Sequence, residues 1–121
     1  MNRRLQALGR LPVGTMNKTE AAYDLALRAQ KQEGKILWHK FDGVKLRLAD
    51  KCFLTVDFFV MTADGQLQAH DVKGSMAIVS DDAKVKMKVA AEIYPFQFFY
   101  AVPRAKKNGG AWDLIEASHG R

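Results

Sequence analysis

Two aspartates and a lysine stand where they can do chemistry together. Asp57 interrupts the apolar run 53–61, in which Val56, Phe58 and Val60 alternate with Phe59 and Met61. Asp71 and Lys73 follow on what reads as the return strand, two residues apart and therefore on one face. Carboxylates are the oxygen ligands that hard divalent cations require. An ammonium group beside them offsets negative charge that develops on a bound anion.

Register decides whether the three meet. Ala63-Asp64-Gly65 suits a three-residue hairpin loop, a type I turn followed by a left-handed glycine. Thr62 then faces Gln66, Met61 faces Leu67, Phe59 faces Ala69, and Asp57 falls opposite Asp71, with Thr55 opposite Lys73. A two- or four-residue loop would set Asp57 against His70 and break the arrangement. Two carboxylates directly across an antiparallel pair repel each other, and a bound cation is the usual reason for keeping them. The bland alternative is an exposed hairpin with an Asp71–Lys73 ion pair, which leaves the acid within the apolar strand unexplained. Mg²⁺ takes oxygen ligands and keeps several waters. Asp57, Asp71 and the main-chain carbonyl of Val72 can supply protein oxygens, and Glu20 can add another directly, through water, or on a second ion. Phosphodiester hydrolysis is the reaction such a set suits, since the cation lowers the pKa of its water and polarises the phosphate. Lys73 would orient the attacking water.

The elements that must position these groups can be read in order. Residues 1–15 form a basic arm carrying Arg3 and Arg4. A helix is predicted over 17–33, with Asn17 as N-cap and Glu20 completing a capping-box pattern. Its small apolar stripe is Ala21, Ala22, Leu25, Ala26 and Ala29. Glu20 thus has a structural reading and a functional one, and Tyr23 reads as a packing residue. Residues 36–48 read as a hairpin turning at Asp42-Gly43, in which His39 reads as a surface or packing residue rather than a ligand. After a link of undefined structure, Ser80 or Asp81 caps a second helix that Pro95 terminates. Val85, Val89, Ala90 and Ile93 supply its apolar side. Lys84, Lys86 and Lys88 make it a candidate phosphate-tracking surface. A buried strand over 96–102, a basic loop with Arg104, Lys106 and Lys107, a last strand over 111–117 and a tail over 118–121 complete the chain. This order predicts one α/β domain over 16–117, built as helix, strand meander, helix and strand around a mixed α+β sheet.

Composition narrows the class. The 121 residues carry 19 Lys+Arg against 13 Asp+Glu, a net charge of +6 that favours a polyanionic partner such as nucleic acid. One cysteine, Cys52, excludes an intramolecular disulfide and a cysteine zinc cluster, and suits a reducing cytoplasm. No apolar run reaches bilayer length, which argues against a membrane partner. Neither a nucleophile triad nor a phosphate-cradling glycine loop is present.

Asp57 and Asp71-Val72-Lys73 resemble the signature of the PD-(D/E)XK nuclease superfamily, in which one acid ends a hairpin strand and (D/E)-x-K sits on the next. Asn17-Lys18-Thr19-Glu20, Val72-Lys73-Gly74 and the lysine-rich helix look like small phage-encoded nucleases. Val56 replaces the proline of the family name, which supplies no ligand. Asp71 is the shorter of the two allowed acids, moving the carboxylate back by about 1.5 Å. The resemblance implies a restriction-endonuclease-like core with Glu20, Asp57, Asp71 and Lys73 as catalytic residues. It also implies a Mg²⁺-dependent DNA endonuclease, with Mn²⁺ as substitute, working in the cytoplasm of a phage's bacterial host in recombination or repair. Branched DNA such as a Holliday junction would be a substrate, and a homodimer the working form. The alternatives are a non-catalytic nucleic-acid-binding module on the same fold and a nuclease acting on RNA.

Overall fold

In the computed structural model of the protein, residues 14–42, 44–106 and 110–117 are described. Expectations for Arg3, Arg4, Gly43, Lys107 and the tail lie outside these residues. The first helix, α1 (Lys18–Gln32), starts at Asn17, whose side chain accepts from the Glu20 N–H at 2.8 Å while Glu20 Oε1 accepts from the Asn17 N–H at 2.9 Å. This reciprocal capping box satisfies two donors that a helix start otherwise leaves open. Asn17→Ala is expected to cost about 1 kcal/mol, read as a lowered denaturation midpoint with unchanged steepness. The inward face is not the alanine stripe. Tyr23 and Leu27 are buried with Asp24, whereas Leu25 is 66% exposed. An aromatic ring and a leucine remove more apolar surface from water than alanines do. Asp24 can follow them in because Arg28 and His39 pair with it.

The strands are β1 (Ile36–Phe41), β2 (Lys45–Ala49), β3 (Cys52–Thr55), β4 (Phe58–Thr62), β5 (Leu67–Val72), β6 (Gln97–Pro103) and β7 (Trp112–Glu116). Among the described residues they make a five-stranded sheet ordered β1-β4-β5-β6-β7 and a two-stranded sheet of β2 and β3. β5 and β6 run parallel, joined through a 3₁₀ turn (Met76–Ile78) and the second helix, α2 (Asp81–Ile93); the other neighbours are antiparallel. The fold is therefore mixed α/β with a mixed sheet.

Two expected pairings are corrected. β1 and β2 do not form a hairpin: β1 pairs with β4, and β2 with β3. The apolar run 53–61 is also two strands, broken at Val56-Asp57, so Thr55 pairs with Lys45 instead of Lys73. A bulge between Ile36 and Trp38 lets Ile36 bury while Leu37 and Trp38 stay largely exposed.

Each sheet face has its own core. α1 covers one, packing Tyr23 and Leu27 on Phe58, Val60, Val72 and Ala101. α2 covers the other with Met87 and Ala90 against Phe59, Ala69, Phe98 and Tyr100, and the β2–β3 hairpin adds Leu46 and Leu54. The expected apolar side of α2 is rotated. Val85 and Ile93 are 59% and 53% exposed, and the inward stripe is Ala83, Met87, Ala90, Ala91 and Tyr94, at the spacing one helix face requires. Ser80 is the N-cap and Tyr94 the C-cap. No helix among the described residues is long and apolar enough to cross a membrane.

Candidate metal centre

The β4–β5 hairpin places the site. Thr62 N–H donates to the Gln66 carbonyl at 2.8 Å, Gly65 N–H donates to Thr62 at 3.0 Å, and Gly65 takes φ +85°, a conformation that L side chains avoid. The three-residue turn fixes the pairs Met61–Leu67, Phe59–Ala69 and Phe58–His70. One step further along this register brings Asp57 level with Asp71.

Asp57 itself lies in the bend before β4 and not within a strand. Its carbonyl accepts from the Asp42 N–H at 2.8 Å. Its Oδ2 accepts from the Val72 N–H at 2.8 Å, so the carboxyl reaches across to β5. There it is near enough to the Asp71 carboxyl for each to act on the other's ionisation. Lys73 Nζ is 3.3 Å from Asp71 Oδ2. The bend therefore delivers what an unbroken strand was expected to deliver.

The electrostatics follow from burial. Desolvation, then the Asp71 charge, pushes the Asp57 carboxyl from 3.8 up to about 8, against the pull of the Val72 N–H. Asp71 is also raised, chiefly by desolvation, with Lys73 pulling the other way. Two buried carboxyls this close resist ionising together, and both are raised. The negative charge of Glu20 raises both. Among the described residues, no three His, Cys, Asp or Glu side chains are arranged to hold a metal ion. The acidic donors are thus a pair, and Glu20, occupied in its capping box, acts on them through charge. Carboxylate oxygens are the donors a hard cation takes, and with two of them it would keep most of its waters. An ion bound there would displace a proton from acids whose pKa values are raised.

A hollow of about 440 Å³ opens on Asp71 and Lys73, lined also by Thr55, Ser80, Asp82 and Lys86 among others. The lysines of α2 divide around it. Lys86 faces this hollow, whereas Lys84 and Lys88 line a separate one of about 190 Å³ with Tyr100 and Glu116. Arg104 is ion-paired with Asp113 through Nε and Nη2, both at 3.0 Å. Lys106 is exposed beyond β6.

Two residues escaped the sequence reading. His70 is 2% exposed on the opposite face of β5. Its Nδ1 accepts from the Tyr23 hydroxyl at 2.6 Å, and its Nε2 donates to Gln68 Oε1 at 2.9 Å, clamping α1 to the sheet one turn beyond Glu20. Burial lowers its pKa from 6.5 to about 4, so the ring is neutral. Tyr100, paired with Asp71 across the parallel ladder, has its hydroxyl pKa raised by burial and by the Asp71 charge. The alternation of β5 was the available signal for His70; nothing in the sequence indicated that β6 would lie beside Asp71. No family model matches the chain, and no curated protein or solved structure matches it.

Proposed function

We propose that the protein is a metal-dependent DNA endonuclease of the PD-(D/E)XK kind. The observation that carries this reading is the buried, electrostatically coupled pair of Asp57 and Asp71 carboxyls, with the Lys73 ammonium 3.3 Å from Asp71. A bare pair of acids this close is unfavourable, and a pure nucleic-acid binder gains nothing by turning it toward a polyanion. In this reading Asp57 and Asp71 hold a divalent ion, with Mg²⁺ the preferred species, and the Val72 carbonyl is a further ligand. When bound, that ion supplies an activated water and polarises the phosphate.

The chain's own groups do the remainder. Lys73 orients the water and offsets charge on the phosphoryl oxygens. Lys86, across the hollow, draws the scissile phosphate in, and Glu20 tunes the acid pair. Branched DNA, cut by a dimer with one site on each strand, is the substrate form that goes with this reading. The test is incubation with linear, nicked and four-way-junction DNA in Mg²⁺, Mn²⁺ or EDTA. Cleavage in the metals and none in EDTA is expected, fastest on the junction; no cleavage of any DNA would leave a binding module or an RNA nuclease.

The division of the α2 lysines gives a sharper expectation than a uniform basic face. Lys86→Ala should lower cleavage at subsaturating DNA by about tenfold or more, in line with one lost charged contact. The Lys84→Ala, Lys88→Ala double variant should stay within about twofold. Initial rates against salt concentration check this, and equal losses in both variants would restore the single face.

A further inference from the structure

We propose that Phe53 is a stacking platform for an unpaired base next to the bond that is cut, so that a strand with unstacked nucleotides is the preferred substrate. The inference rests on the reading of Asp57, Asp71 and Lys73 as a nuclease site. Of the seven phenylalanines only Phe53 is exposed, at 40%. It lines the hollow of about 440 Å³ that also takes in Asp71, Lys73 and Lys86. Phe53 is four residues before Asp57, so their Cα atoms are at most about 14 Å apart. At roughly 3.4 Å per nucleotide, that is about four steps along a strand.

The β2–β3 hairpin holds the ring in place. Leu46 and Leu54 go into the core beneath α2, and strand alternation turns Lys45, Arg47, Phe53 and Thr55 outward. The Tyr94 hydroxyl donates to the Arg47 carbonyl at 2.6 Å. This ties the hairpin to the end of α2, the helix that brings Lys86 to the hollow. Turned to solvent, the Phe53 ring adds little to the core that Leu46 and Leu54 already fill.

The chemistry around the ring selects the ligand. Phenylalanine offers a flat apolar face and no hydrogen-bonding atom, so it accepts any base and reads none. Bases within a duplex are covered by their neighbours, and only an unstacked one has a face to give. Lys45 Nζ lies over the ring, 4.7 Å from its centroid. Arg47, beside it on the same face, is only loosely paired with Asp50, at 3.9 Å. A cation–π contact at an exposed site is weaker than a base stacked on a ring. An arriving base therefore displaces the Lys45 ammonium, which turns to a flanking phosphate, while Lys73 and Lys86 meet the backbone in the hollow.

The test is binding by the full chain in EDTA, which prevents cleavage, of a fluorescein-labelled DNA strand without secondary structure and of its blunt duplex. Phe53→Leu keeps an apolar side chain and removes the aromatic face. It should weaken the single strand at least about fivefold, the low end of one base–ring stack, and change the duplex by less than about twofold. Phe53→Trp should hold the single strand at least as tightly as the parent, and its added indole emission should be quenched as the strand binds. Equal losses on both forms, no loss on either, or an unquenched tryptophan would overturn the proposal. Cleavage is read separately in Mg²⁺: a chain that stacks single strands through Phe53 yet cuts no DNA ends the endonuclease reading alone, and one that cuts while Phe53→Leu binds strands normally ends the platform alone.

Discussion

Asp57→Asn is expected to cut Mg²⁺-dependent cleavage of DNA by at least about 10³-fold while making the protein more stable. The loss follows because the amide cannot carry the negative charge that a hard cation requires. The gain follows from the same site. Asn retains an oxygen for the Val72 N–H, and it removes a buried acid whose ionisation is opposed by desolvation and by Asp71. Removing such functional strain commonly gives about 0.5–2 kcal/mol, or about 5 °C in melting temperature for a domain of this size. Cleavage assays and thermal melts in EDTA read both effects on one preparation. An inactive variant that is also less stable would make Asp57 a structural residue, and an active one would end the proposal.

The second large effect is on the pH dependence of stability. Asp57 has its pKa raised from 3.8 to about 8, so the folded chain holds an extra proton across that window. Its contribution is fully present below 3.8 and is lost as pH rises through 8. His70 has its pKa lowered from 6.5 to about 4, so the unfolded chain holds the extra proton there. Its contribution is fully present above 6.5 and is lost as pH falls toward 4. The two oppose each other between pH 4 and 6.5, and Asp71, also raised, adds to the sign of Asp57. Above pH 6.5 only the acids act, and the metal-free protein should lose about 2 kcal/mol by pH 8. In Asp57→Asn the histidine dominates, and stability should instead rise by about 3 kcal/mol from pH 4 to 6.5. Denaturant titrations in EDTA across this range test the difference. Superimposable profiles would contradict the assignment of Asp57, and no rise from pH 4 to 6.5 in Asp57→Asn would contradict that of His70.

The hairpin register was legible because its determinants are local: a glycine at positive φ three residues after Thr62, and alternation on either side. The capping box was legible for the same reason. The break at Val56-Asp57 was not, since residues 53–61 are apolar on both sides of it and nothing local marks where β3 leaves for the smaller sheet. The Asp42-Gly43 turn signal likewise says nothing of β4, which competes for the edge of β1 and wins. On α1, small-residue periodicity favoured the alanine face, whereas the inward face is set by Tyr23 meeting His70 and by Asp24 meeting His39, contacts made with residues 47 and 15 positions away. The acid pair was therefore predictable, while the surroundings that bury it depend on long-range pairing.

The most direct measurement is calorimetric titration of Mn²⁺ into the protein at pH 7 in buffers of different ionisation enthalpy. One ion per chain should bind, with release of close to one proton as the metal displaces it from the raised acids Asp57 and Asp71, and Asp71→Asn should abolish both signals. Binding that persists unchanged in that variant, or that releases no proton, would contradict a cation held by the two aspartates.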